Sequence, residues 1–253
     1  MLRIDLNADV GESYGVFKVG HDEKLMSVIT SANIACGFHS GDYNTMAETV
    51  SLAKKHGVGV GAHPGFQDLI GFGRREMVMT PEEIYRMVLY QIGALDAFCR
   101  VENIPMVHVK PHGALYNFAA RDRVVAESIA QAVYDVNPKL ILFGLCNSEL
   151  IKAAHKIGLK TASEAFADRT YTDEGELTSR TRDNALHTSV EAMKKQVLEI
   201  VKHGYVTSVT GKKIDLQTDT ICIHGDGDYA VEVAHELKKA LLTEKVEIKN
   251  VGE

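Results

Sequence analysis

No apolar run in the chain is long enough to cross a bilayer. The longest, such as residues 140–145, fall far short of the roughly 20 residues a spanning helix needs. There is no basic patch and the formal net charge is −6, which argues against nucleic acid as a partner. The four cysteines, Cys36, Cys99, Cys146 and Cys222, lack CxxC spacing and read as reduced thiols of a cytoplasmic protein. HExxH and GxxxxGK[ST] are both absent. "GVGVG" at 57–61 lies within a strand pattern and not at a strand-to-helix turn, so it is no dinucleotide fingerprint. A nucleotide must therefore bind in another way, or on another chain. The opening "MLRIDLNADVGE" has no signal-peptide hydrophobic stretch, which again points to the cytoplasm. No linker, low-complexity tract or compositional break divides the 253 residues, so 1–253 is expected to be a single domain.

What the chain does have is alternation. Strand patterns near 2–7, 32–36, 58–62, 106–110, 140–144, 159–164 and 220–224 are separated by helical patterns at 22–31, 43–56, 81–103, 121–134, 147–156, 190–203 and 229–242. The clearest helix starts with Thr80 as cap, Pro81 in the first turn and Glu83 completing a capping box. Several helices end on the glycine stop signal, as in "KKHGV" and "VKHGY". Residues 206–209 and 214–217 flank "TGKK" and predict a β-hairpin before the last strand. Such alternation implies a parallel sheet with right-handed crossovers, either open or closed into a barrel.

The strand faces favour the barrel. In strand one, Leu2, Ile4 and Leu6 share a face, while Asp5, Asn7 and Asp9 share the other. In "VHVKPH", Val107 and Val109 oppose His108, Lys110 and His112; in "ICIHGD", Ile221 and Ile223 oppose Cys222, His224 and Asp226. A strand covered on both faces by helices is apolar on both. Here one face is polar, increasingly so toward the C-terminal end, where barrel enzymes place their sites. The expected fold is a TIM-like (β/α) barrel of about seven strands, incomplete or distorted relative to the eight-stranded form. Pro111 then stops its strand, and Gly113 permits the turn that leaves Lys110 and His112 in the mouth.

Eleven histidines are present, and four of them, His39, His63, His112 and His224, follow strand ends at one rim. Three others, His56, His155 and His203, occupy last helical turns, where a donor suits the exposed carbonyls. Asp5, Asn7, Asp9 and Glu12 cluster at the end of strand one; they suit acid–base work or metal ligation, or an ion-pair network with Lys110. A divalent metal is conceivable on Asp9, His39 and His63, although ligands from different strands leave no spacing signal. Arg74, Arg75, Arg169 and Arg180 lie in expected loops, where one of them could clamp a carboxylate. Cys36 and Cys222 read as small buried hydrophobes rather than nucleophiles.

Seven ordered blocks, "DLNADVGESYG", "NIACGFHSGD", "GAHPGFQD", "GFGRR", "VKPHGALYN", "EAFADRTY" and "ICIHGD", together resemble the LamB/YcsF family over nearly the whole chain. One departure is the stretch after "LTSR", where a Pro-Gly-Ala-like turn is expected and Arg182-Asp183-Asn184-Ala185 stand. The resemblance implies a distorted barrel similar to that of carbohydrate deacetylases. It implies a 5-oxoprolinase component that works with partner subunits B and C. With ATP as co-substrate, 5-oxo-L-proline and water would give L-glutamate, ADP and phosphate. On this reading Asp9 or His63 is the base, and Lys110 and His112 stabilise developing charge. Asn7, Glu12, His39, Arg74, Glu164, His224 and Asp226 remain for substrate contact, with Arg74 on its carboxylate. Two other readings stand beside it: a stand-alone metal-dependent deacetylase or amidohydrolase, and a non-catalytic lactam-binding subunit. A homo-oligomer is compatible with each.

Overall fold

The computed structural model describes residues 2–224 and 230–253. Six parallel strands pair in chain order: β1 Arg3–Val10, β2 Ser31–Ala35, β3 Gly59–His63, β4 Met106–Val109, β5 Ile141–Leu145 and β6 Lys160–Phe166. A hairpin of β7 Tyr205–Thr207 and β8 Lys213–Asp215 then leads to β9 Thr220–Ile223. Strand β9 pairs in parallel with both β6 and β1 and closes a seven-stranded barrel. The short β10 Glu247–Ile248 pairs with the first residues of β1. Carbonyls two residues apart on a strand point the same way. Leu2 and Ile4 accept from Glu247 and Lys249, and Leu6 accepts from Thr30. Strand β10 thus fills the part of the β1 edge that β2 is too short to reach.

The helices are α1 Asp22–Met26, α2 Tyr43–His56, α3 Pro81–Glu102, α4 Gly113–Arg121, α5 Arg123–Val136, α6 Glu149–Ile157, α7 Val190–His203 and α8 Ala230–Thr243. Helix α3 has the expected capping box: Thr80 Oγ1 accepts from the Glu83 N–H at 3.3 Å, and Glu83 Oε2 accepts from the Thr80 N–H at 2.7 Å. It buries Ile84, Val88, Ile92 and Leu95 against the barrel. Ile4, Leu6 and Ala8 on the outer face of β1 join the same cluster. Each large side chain so buried contributes roughly 1.5–3 kcal/mol. His56, His155 and His203 are exposed in last helical turns, as expected. No helix among the described residues is long and apolar enough to cross a membrane.

Three elements differ from the sequence reading. Helix α1 ends at Met26, five residues before the expected end at 31. Helix α4 is not predicted by the sequence, because the rim residues before it read as a loop and the next helix is expected from 121. Asp122 is extended, at φ −108 and ψ 115, and accepts from the Val124 and Val125 N–H groups. It thus splits one apolar pattern into two helices. Strand β10 has two residues, too few to carry a period. The departing stretch at 182–185 forms turns, with the Arg182 N–H on the Ser179 carbonyl and the Ala185 N–H on the Arg182 carbonyl, and it leaves Arg182 exposed.

Candidate active site

Register carries the polar faces around the inside of the barrel. Asp9 lies opposite Asn33, Asn33 opposite Gly61, and Gly61 opposite His108. Glu164 lies opposite Thr220, and Thr220 opposite Asp5. Gly61 is needed there because a Cβ would meet the His108 ring at 2.2 Å. That ring stacks on Phe143 at 4.2 Å and contacts Asn33 Oδ1 at 2.8 Å. Burial pushes its pKa down to about 3, so His108 is a neutral core residue.

Lys110 is the hub of the rim. Its Nζ lies 2.8 Å from Glu164 Oε1, 3.1 Å from Asp9 Oδ1, 3.2 Å from Asn7 Oδ1 and 3.0 Å from Cys222 Sγ. Burial opposes the ammonium, but the Asp9 and Glu164 carboxylates outweigh it and hold the Lys110 pKa well above its ordinary value. Burial likewise opposes the Asp9 carboxylate, and His63 and Lys110 outweigh it, so Asp9 titrates well below the usual range. Asn7 braces the pair: its Nδ2 donates to Glu164 at 2.9 Å and to Thr220 at 2.8 Å. All four cysteines are buried and free. Burial pushes the Cys36, Cys99 and Cys146 thiols up to about 12 and the Cys222 thiol well above its ordinary value, which leaves no thiolate nucleophile.

Three imidazoles pack beside Asp9. His39 stacks on His112 at 3.7 Å, and His63 meets both edge-on. His63 Nδ1 lies 2.7 Å from the Lys110 carbonyl, and His112 Nε2 lies 2.8 Å from the Phe72 carbonyl. A carbonyl only accepts, so those nitrogens carry the protons. The opposite nitrogens face one another, His63 Nε2 to His112 Nδ1, at 3.0 Å. Asp9 Oδ2 is 3.3 Å from His63 Nε2; Glu12 Oε1 is 3.3 Å from His39 Nε2 and 3.8 Å from His112 Nδ1. Burial holds the His39 and His112 pKa values well below the ordinary value. The "GFGRR" loop is shaped to this cluster. Phe72 takes a left-handed φ of 54°, and at Gly73 (φ 63°) a Cβ would meet His39 at 2.7 Å and His112 at 2.8 Å.

A cavity of about 810 Å³ opens over this rim. Of the sequence candidates, Asp9, Glu12, His63, Arg74, Lys110, His112 and His224 line it. Asn7, His39 and Glu164 are buried beneath the lining and hold the residues that reach it. Asp226 lies outside the described residues. Arg74 packs its guanidinium over the Phe72 ring at 4.9 Å. Arg169 and Arg180 also line the cavity, whereas Arg75 pairs with Asp68. Burial, with Arg180 close by, pushes the Arg169 pKa down to about 10. Asp168 is a site residue the sequence reading passes over: both its oxygens lie 2.8 Å from His224 Nδ1. The signal is available, since Glu164, Phe166 and Asp168 continue one inward face past the end of β6.

A closed parallel barrel with an ionised cluster facing a cavity at its C-terminal rim is the architecture of the (β/α)-barrel enzymes. Comparison with known proteins narrows that class. The sequence model of the LamB/YcsF family matches residues 4–253, and the chain belongs to that family. It is 54% identical over 251 residues to the 5-oxoprolinase A-subunit of Staphylococcus carnosus, covering 99% of this chain and 100% of that one. It is 53% identical over 253 residues to the protein of the same name from Bacillus subtilis, covering 100% and 98%. The crystal structure of a lactam utilization protein from Thermus thermophilus superposes with a TM-score of 0.93 at 47% identity, covering 98% of this chain and 99% of that one.

Proposed function

We propose that this chain is the lactam-opening component of an ATP-dependent 5-oxoprolinase, a cytoplasmic enzyme completed by partner subunits B and C. The observation that carries the reading is the Lys110–Asp9–His63–His112 line of contacts, facing a cavity with arginines on its wall. The names of the relatives supply the substrate class.

A five-membered lactam is a stable amide, and water opens it slowly. Transfer of the ATP γ-phosphoryl group to the lactam oxygen, with the nucleotide held on the partner subunits, makes the ring carbon electrophilic. Water adds to that carbon, and the Asp9–His63 pair accepts its proton. The ring C–N bond breaks as a proton returns to nitrogen. A second water hydrolyses the resulting acyl phosphate to L-glutamate and phosphate. Lys110 faces the charge that develops on oxygen, where a preorganised donor is worth most, while His112, its proton held on the Phe72 carbonyl, packs against His63. Arg74 on the cavity wall takes the substrate carboxylate. The cavity is far larger than the ring alone and leaves room for the phosphoryl group.

The test is glutamate and phosphate release from 5-oxoproline and ATP, by this chain alone and with subunits B and C from the same genome. Turnover only in the mixture supports the proposal. Silence in both, with folded partners, sinks it and favours a stand-alone amidohydrolase.

A further inference from the structure

Two imidazoles at the rim present lone pairs to each other. His63 donates its Nδ1–H to the Lys110 carbonyl and His112 its Nε2–H to the Phe72 carbonyl, so with both rings neutral the facing His63 Nε2 and His112 Nδ1, 3.0 Å apart, are both acceptors, and the Asp9 carboxylate lies 3.3 Å from the same His63 nitrogen. Acceptors at that distance repel unless a proton or a metal cation lies between them. Glu12 Oε1 adds a third acceptor 3.8 Å from His112 Nδ1, and the donor atoms of Glu12, His63 and His112 all lie within 4.8 Å of one another. Tetrahedral ligands about 2.1 Å from a zinc ion stand about 3.4 Å apart, so the observed spacing needs only small shifts to close on one. Both histidines also carry the outer support that metal-ligating histidines have, the far N–H fixed on a carbonyl. The Phe72 carbonyl comes from a residue held at φ 54°, a conformation costing about 1–3 kcal/mol for a side chain of this kind.

We propose that Glu12, His63 and His112 ligate a divalent zinc-type ion, with one coordination position open to the cavity. His39, although equally close, is excluded by its own hydrogen bonding. Its Nδ1 is buried with no partner among the described residues. As a ligand through Nε2 it would leave a buried N–H at Nδ1 without an acceptor. As a donor from Nε2 to Glu12 it leaves only a bare lone pair there, and it orients the carboxylate. The cavity agrees: Glu12, His63 and His112 line it, and His39 is not among the lining residues. With the ion bound, His63 is no longer available to take a proton, and Asp9 beside the open position is the remaining base.

The proposal rests on these contacts and not on the lactam reading, so a failed metal titration leaves the reconstitution result as it stands. The test is calorimetric titration of Zn²⁺ into chelator-stripped full-length chain, with a Co²⁺ absorption spectrum for coordination geometry. The expected result is one ion per chain. His63→Ala, His112→Ala and the shape-conserving Glu12→Gln should each weaken binding about 100-fold or more, with melting curves confirming the fold. His39→Ala should keep the one-to-one stoichiometry, with a loss within the roughly 10–100-fold range of an outer support. Absence of saturable binding to the parent chain, or affinity unchanged in Glu12→Gln and both ligand-histidine variants, overturns the site. Loss of stoichiometric binding in His39→Ala overturns the ligand assignment.

Discussion

Asp5 and Asp9 stand four residues apart on one face of one strand, both buried, and their pKa values shift in opposite directions. Asp5 faces three hydroxyls, those of Thr30, Ser31 and Thr220, and no cation within salt-bridge distance among the described residues. Burial pushes its pKa up to about 6. Asp9 faces Lys110 and His63 and is held well below the usual carboxylate range. Burial alone therefore does not set the pKa of a barrel carboxylate. The neighbouring strands decide, by supplying hydroxyls at the base and the Lys110 ammonium at the rim. The base carboxylate is tied to hydroxyls of Thr30, Ser31 and Thr220, and the rim carboxylate is the one proposed for chemistry.

Removing the cation breaks the contrast most severely. Lys110→Met leaves Asp9 and Glu164 buried without a counter-charge. Urea unfolding should show a loss of about 3–5 kcal/mol, and turnover in the reconstituted enzyme should vanish. Asp9→Asn keeps the shape and removes the charge, so kcat should fall about 10²–10⁴-fold while the melting curve holds. Asp5 should be visible in stability alone. Its folded pKa lies above the unfolded value, so the native state binds the extra proton between about pH 4 and 6. Its contribution to stability falls as pH rises through that window, by about 3 kcal/mol for two units at about 1.4 kcal/mol each. Unfolding curves of the parent and of Asp5→Asn should separate by that amount between pH 4 and pH 7. Parallel curves would show that the hydroxyls hold Asp5 ionised. The smallest effect belongs to the cavity wall: Arg74→Ala should raise KM about tenfold and leave kcat nearly unchanged, the signature of lost ground-state binding.

The side-chain period makes the barrel legible in the sequence. Asp5, Asn7 and Asp9 against Ile4, Leu6 and Ala8 tell inside from outside, because a two-residue repeat needs no tertiary information. The rim histidines are legible for the same reason. Their pairing is not, since the contacts His63–His112 and Lys110–Glu164 join strands far apart in sequence. The clamp on His112 is a backbone carbonyl of Phe72, which leaves no trace in residue type. Nor does the sequence separate the residues that line the cavity from those beneath it: Asn7, His39 and Glu164 share the polar face with Asp9 and Lys110, and only depth distinguishes them.

The decisive measurement compares Asp5→Asn and Asp9→Asn side by side in the reconstituted 5-oxoprolinase assay, each with a melting curve. The expected result is a drop of at least about 100-fold in kcat for Asp9→Asn and near-parental kcat for Asp5→Asn. Full activity in Asp9→Asn, or equal losses in two folded variants, would contradict the assignment of chemistry to the rim.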